Sequence, residues 1–356
     1  MPSDSVKFKS LLIFNLSLDL DEPILSFTHE WVYEFSLRYE KVLVFSTHVG
    51  RRELPQNVEV IRIGGGNIGR RIVAIMRLWR SILFVIKNPN CHIFHHMSTK
   101  TLVFPGLVFQ FLGRRQGVWY SHSYPDPWLR FTSKMNLTYF SPSESSFPIN
   151  NSKIDLRVTG HGIDFAEFQD LGSLELQNKN SNRALFVGRI VPVKKIETII
   201  ETISLSNGEI KELVLVGPAN DTKYLEKLKR LALIMNVSLL FIGMLDRRKL
   251  QLLLSNFEYI FSETPKSTDK AAIESAGYGL YLISSNLNSL ELCGMFELFD
   301  FLGRCPQSLA PSAQLDFLNS LSRKERQSGR RVVAESTRRQ NNLKTTIDKI
   351  CHGLIA

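Results

Sequence analysis

"ALFVGRIVPVKKIETIIETI" (residues 184–203) decides the fold. A short apolar run, Ala184–Val187, stops at Gly188 and releases a turn carrying Arg189, Pro192 and Lys194; an amphipathic stretch follows. A buried strand that passes through glycine into an amphipathic stretch is half of a βαβ unit. The same grammar returns in "LVLVG" (213–217), "SLLFIG" (238–243), "YIFSE" (259–263) and "YLISS" (281–285). An earlier set reads "LLIFNL" (11–16), "VLVFS" (42–46), "VEVIRI" (58–63), "CHIFHHM" (91–97), "GVWYSH" (117–122) and "LTYFSP" (137–142). The class is therefore α/β, with two Rossmann-like doubly wound domains, which suits a chain of 356 residues. Glycine interrupts the pattern in "TGHGIDFAEF" (159–168), and a polar, linker-like stretch follows at 169–183. The expected division is 1–165 and 166–334.

The chain carries 44 Lys and Arg against 34 Asp and Glu, a formal charge of +10. Such a surface favours phosphorylated substrates, acidic lipid or nucleic acid without choosing among them. The cysteines are Cys91, Cys293, Cys305 and Cys351; none makes a CxxC pair and no histidine cluster has ligand spacing. Neither a zinc site nor a disulfide framework is expected, and the thiols read as reduced and cytosolic. Residues 1–10 are polar, unlike a secretory leader, and no long uncharged apolar run suggests a spanning helix. The expected location is cytoplasmic. No recognition motif accompanies the basic stretch 322–350, so no nucleic-acid partner is expected.

In open α/β sheets, ligands sit beyond the carboxyl ends of the strands. There the second half places Gly188, Arg189 and Lys194, then Gly217, then Gly243 with Met244 and Leu245, then "TPKSTDKAAIESAGYG" (264–279). Each glycine alone is an ordinary turn, and the two cations alone are a solvated basic loop. In this order they resemble the second domain of family-4 glycosyltransferases of the GT-B fold. The resemblance rests on "FVGRIVPVKKIETIIETI", "LVLVGPAND", "VSLLFIGMLDRRKLQLLL" and "DKAAIESAGYG".

The resemblance implies two domains facing a cleft, with the last helix, about 335–356, returning to the first domain. It implies a retaining transfer from a nucleotide-diphosphate sugar to a glycan or lipid-linked acceptor, with no bound metal or other cofactor. Arg189 and Lys194 would hold the diphosphate, as fixed cations aimed at a leaving group that gains charge. Glu274 would read the ribose hydroxyls, and Gly243, Met244 and Leu245 would lie beside the base. Thr268, Asp269 and Lys270 would open the helix that carries Glu274, presenting amides to phosphate. Two departures stand out. Lys266 occupies the place of the family's first glutamate, eight residues before Glu274, and the proline after the helix glycine is missing. "STDKAAIE" (267–274) fits a variant that some members carry. The departures also admit a second class, a nucleotide-sugar or glycan-binding protein with weak or no catalysis.

The first half would read the acceptor. Asp19, Asp21 and Glu22 stand before Pro23, in a turn resembling a D-x-D-[DE]-P subgroup. They would hold an acceptor hydroxyl, or form only a helix-start charge cluster. His122 follows a strand where many GT-B enzymes place a histidine facing the donor sugar; His96 is the second candidate, for the acceptor. Either could instead be a hydrogen-bonded histidine lining the sheet edge. His161, Gly162 and Asp164 read as hinge. "IGGGNIG" (63–69) lacks the Lys-Ser/Thr of a phosphate loop and reads as a flexible loop. In "RRIVAIMRLWRSILFVIK" (70–87), apolar residues at 72, 75, 76, 79, 82, 83 and 86 share one helical face, with Arg70, Arg77, Arg80 and Lys87 elsewhere. Two readings stay open: a helix packed on the core, or one resting on an acidic membrane at the inner face of the plasma membrane.

Overall fold

The computed structural model describes residues 7–22, 25–64, 68–122, 124–149, 151, 154–166, 182–206 and 210–355. Pro23, residues 65–67 of the glycine loop and residues 167–181, most of the expected linker, lie outside them. The chain divides into two compact units, Met1–Asp164 with Asn342–Ala356, and Phe165–Asn341.

The first unit runs β1 (Phe8–Leu18), α1 (Phe27–Arg38), β2 (Tyr39–Val49), β3 (Val58–Arg62), α2 (Ile68–Lys87) and β4 (Cys91–His96). It continues with α3 (Lys100–Val103), α4 (Gly106–Phe111), β5 (Gln116–Trp119), α5 (Pro127–Thr132), β6 (Leu137–Ser141) and β7 (Asp155–Val158). The strands pair in parallel in the order β3-β2-β1-β4-β5-β6-β7. Alternate residues of β1 serve opposite faces. Leu11 and Ile13 meet Trp31, Phe35 and Phe94, while Leu12 and Phe14 meet Leu43, Phe45, Ile82 and Phe109. A strand buried on both sides reads as a continuous apolar run, which is why "LLIF" shows no polar alternation.

The second unit runs β8 (Arg183–Val187), α6 (Ile196–Leu205), β9 (Glu212–Val216), α7 (Thr222–Ile234), β10 (Ser238–Gly243), α8 (Arg247–Leu254) and β11 (Tyr259–Phe261). Then come α9 (Lys270–Gly277), β12 (Tyr281–Ile283), α10 (Leu287–Leu292), α11 (Met295–Leu302), α12 (Pro311–Asn319) and α13 (Arg323–Asn341). Its sheet is also parallel, in the order β10-β9-β8-β11-β12. The final helix, α14 (Leu343–Ile355), belongs to the first unit. It buries Leu343, Ile347, Ile350 and Leu354 against Trp31, Phe94 and Phe140. Each such side chain contributes about 1.5–3 kcal/mol of transfer free energy. Arg38 Nε donates to Asp348 at 2.6 Å, and Thr346 Oγ1 donates to the Thr159 carbonyl at 2.8 Å.

Every apolar run quoted above contains a strand. One strand was not expected: β7, "DLRV", lies at the sheet edge, with Asp155 and Val158 exposed. An edge strand with two charges among four residues has no apolar pattern to announce it. Helix α2 departs from the core-packed reading. Of its apolar stripe only Ile82 is buried; Ile72, Ile75, Met76, Trp79, Leu83 and Ile86 are exposed. The helix instead packs on the sheet through Leu78, Ser81, Ile82, Phe84 and Val85. Among the described residues no helix is long and apolar enough to cross a membrane.

Candidate functional site

A parallel sheet brings all its strand carboxyl ends to one edge. In the second unit the strand order reverses between β8 and β11, the place where such sheets bind ligands. Lys194 follows β8, in the short helical turn Pro192–Lys194. Asp269 stands at the start of α9, after β11. The two meet: Lys194 Nζ donates to an Asp269 carboxylate oxygen and, at 3.1 Å, to Thr264 Oγ1. Asp269 also accepts from Thr264 Oγ1 at 2.6 Å and Ser262 Oγ at 3.0 Å. Both charged side chains are largely buried, at 11% and 16% exposure. Although Asp269 occupies the N-cap position of α9, its carboxylate makes no capping bond. It is spent on the lysine.

The neighbouring strand ends are joined through backbone. Gly188 N donates to the Val216 carbonyl at 2.9 Å, and Gly217 N to the Gly243 carbonyl at 2.8 Å. A β-carbon on Gly217 would lie 2.0 Å from the Gly188 carbonyl oxygen, so a side chain there would push the ends of β8 and β9 apart. Gly243, at φ 87°, faces open space. Met244 beside it is exposed and Leu245 half-buried, and Asp246 caps α8 by accepting from Lys249 N. Arg189 is exposed and makes no hydrogen bond or ion pair among the described residues. Glu274 is half-buried on α9, with Lys270 Nζ 3.6 Å from its carboxylate.

Lys266 is exposed and left-handed, at φ 63°. Thr268 is buried and accepts from Ser289 Oγ at 3.1 Å, and Asn286 Nδ2 donates to the carbonyls of Thr264 and Ser267. This side-chain lattice, with Glu263 accepting from Ser285 N and Oγ, fixes the β11–α9 turn to the end of β12. Burial pushes the Glu263 carboxyl up, against the Ser285 hydrogen bonds that favour its charge. Ser262, Glu263 and Thr264 were missed as supports of the site. Their signal was three successive polar residues immediately beyond a fully apolar strand.

In the first unit the order reverses between β1 and β4. Asp19 accepts from Asp21 N, Arg51 N and His48 Nε2, while Arg51 donates to Asp21 through Nε and Nη2 and to Glu53 through Nη1. Glu22 accepts from Leu25 N. The acidic turn thus closes on the β2–β3 loop; the Asp21 backbone amide holds the Asp19 carboxyl below its ordinary value, and Arg51 does the same for Asp21.

His96 is buried, stacked at 5.1 Å on Trp119 and packed at 4.7 Å against Trp31. His122 is exposed, its ring edge-on to Tyr120 at 5.4 Å. In the stretch expected to be a hinge, the Gly162 carbonyl accepts from Trp31 Nε1 of α1, and that of Ile163 from Leu343 N at the start of the last helix. Asn15 was missed. It lies near the end of β1, 1% exposed, and neither amide atom finds a hydrogen-bond partner among the described residues. A small cavity lined by Asn15, Thr28, Trp31 and His96 adjoins it. Among the described residues no group of His, Cys, Asp and Glu has the arrangement of a metal site.

No protein-family model matches the sequence, and no curated protein matches it either. Solved structures do match in fold. HepE from Anabaena, in complex with UDP, aligns with a TM-score of 0.68 at 13% identity, covering 97% of this chain and 99% of that one. Sucrose-phosphate synthase from Thermosynechococcus elongatus aligns at 0.66 and 13% identity, covering 97% and 98%. The lipopolysaccharide outer core galactosyltransferase WaaB, in its apo form, aligns at 0.63 and 11%, covering 97% and 99%. Two parallel-sheet α/β units in this order, matched over nearly the full length of each, give the chain the GT-B fold.

Proposed function

We propose that the chain is a glycosyltransferase, family-4-like, that moves a sugar from a nucleotide-diphosphate donor to a glycan or lipid-linked acceptor. The role is in cell-surface polysaccharide or glycolipid biosynthesis. The observation that carries the reading is Lys194, held by Asp269 and Thr264 at the point where the second sheet reverses its order. The structural neighbours support it. HepE is crystallised with UDP and with UDP-glucose, and WaaB is a galactosyltransferase.

In this reading Arg189 and Lys194 meet the diphosphate as its bond to the sugar breaks. Arg189 supplies an exposed planar fork and Lys194 a fixed point charge. Glu274 accepts from the ribose hydroxyls, and the backbone at Gly243–Leu245 faces the base. Gly188 and Gly217 let the backbone come close to the ligand, and the first turn of α9, with Thr268, Asp269 and Lys270, completes the phosphate side. His122 orients the donor sugar; Asp19, Asp21, Glu22 and His96 serve the acceptor. The acceptor hydroxyl attacks the anomeric carbon on the face the diphosphate leaves, and its proton passes to a leaving phosphate oxygen. Configuration is retained, and no metal takes part.

A second reading, a nucleotide-sugar binder with little turnover, is favoured by Lys266, a cation where the family carries a carboxylate. One experiment separates them: thermal shift and nucleoside diphosphate release, measured with UDP-, GDP- and ADP-sugars. A transferase releases diphosphate when acceptor is present, and Arg189→Ala abolishes both the thermal shift and the release. Binding without release for every donor sinks the transferase; a shift unchanged in Arg189→Ala sinks the clamp.

A further inference from the structure

We infer that α2 is a docking surface for an anionic lipid bilayer. The helix has two apolar faces. The inner one, with Leu78, Ile82 and Val85, lies on the sheet. The outer one is a continuous stripe of Ile72, Ile75, Met76, Trp79, Leu83 and Ile86, spaced to share one side of the helix. Met76 is 65% exposed, Leu83 55% and Trp79 52%. A contiguous exposed stripe of this kind is an interaction site.

Charge selects the occupant. The stretch 68–87 contains no Asp or Glu, while Arg77, Arg80 and Lys87 are exposed along one flank of the stripe. Arg80 pairs with Glu59 at 2.6 Å, and Arg77 donates to the Arg62 carbonyl. A stripe with an indole in it and cations beside it fits the boundary between headgroups and acyl chains. Trp79 rests edge-on against Phe104 at 5.7 Å, which sets the half-exposed indole in place. Helix α4, packed on the same sheet face through Val108 and Phe109, ends with Phe111 90% exposed. A second copy of the chain is the poorer occupant. Two-fold pairing of the stripe with itself would bring two basic flanks together with no carboxylate on either helix.

The inference stands apart from the transfer chemistry, and its test uses neither donor nor acceptor. The full chain is sedimented with vesicles of phosphatidylcholine alone and with vesicles containing phosphatidylglycerol. It should partition to the anionic vesicles and come off as salt rises. Arg77→Gln and Lys87→Gln should each weaken partitioning about fivefold. Met76→Asp with Leu83→Asp should leave the protein in the supernatant at an unchanged melting temperature and far-UV spectrum, since both side chains face outward. Equal partitioning to neutral and anionic vesicles, or to neither, overturns the inference. So does undiminished binding by the double variant, or a solution dimer that the double variant dissociates.

Discussion

Breaking the Lys194–Asp269 pair tests the site where its geometry is most definite. Asp269→Asn removes the charge that compensates a largely buried ammonium, leaving Lys194 with the Thr264 hydroxyl and a neutral amide. Stranding one partner of a buried pair costs about 3–5 kcal/mol. The low end applies, because both side chains keep some contact with solvent. A loss of about 3 kcal/mol in the unit Phe165–Asn341 corresponds to a fall in Tm of roughly 6–12 °C. Lys194→Met costs less, about 1–2 kcal/mol, because Asp269 keeps the donors Ser262 and Thr264. The double variant should recover about 1–3 kcal/mol relative to the sum. Melting with UDP, GDP and ADP supplies the functional half. The stabilising shift should survive Asp269→Asn, where a diphosphate is the remaining anion for Lys194, and vanish in Lys194→Met. Additive single variants, or a full nucleotide shift in Lys194→Met, refute the reasoning.

Gly217→Ala should cost at least about 2 kcal/mol, since the residue sits at positive φ and the new methyl meets the Gly188 carbonyl. An unchanged denaturant midpoint would show that the strand ends yield freely. His95 should make the first unit acid-labile. Its ring is fully buried between Thr101 and Gln116, and burial holds its pKa down to about 3 against a smaller upward pull from Gln116. Unfolded histidine titrates near 6.5, so below that pH the unfolded chain takes a proton the native state refuses. Stability then falls by up to about 1.4 kcal/mol per pH unit until about pH 3. His95→Gln should flatten the slope of the denaturant midpoint against pH; an identical slope removes His95 as the cause.

How much the sequence tells differs between strands, site and surface. The inner strands are legible because parallel strands buried on both faces are apolar, and the partly exposed β3 and β10 keep apolar runs; β7, with two charges among four residues, escapes. Lys194 is legible because it follows its strand directly. The duty of Asp269 is not. It stands 75 residues from Lys194, and it is the adjacency of β8 and β11 that brings them together. As a residue opening a helix it reads as a cap, which is what most such residues are. The partner of the acidic turn is hidden for the same reason, since Arg51 belongs to the neighbouring strand's loop, 30 residues on. For α2 the periodicity finds one apolar face and cannot say which way it turns. The inner face includes Ser81, so the more apolar face is the one turned outward.

Lys266 is where transferase and binder diverge, and its backbone says as much as its charge. The nearest upstream carboxylate, Glu263, is no substitute for the missing glutamate, because both of its oxygens are held by Ser285. At φ 63° a lysine pays about 1–2 kcal/mol that asparagine, which tolerates the left-handed region, largely avoids. Lys266→Asn should therefore raise the stability of the second unit by about 1 kcal/mol. If diphosphate release falls as stability rises, the strained lysine is kept for the reaction, as strained residues at working sites are. If stability rises and release is untouched, Lys266 has no part in the transfer, and the donor sugar is held from elsewhere. If stability does not rise, the strain argument itself is wrong.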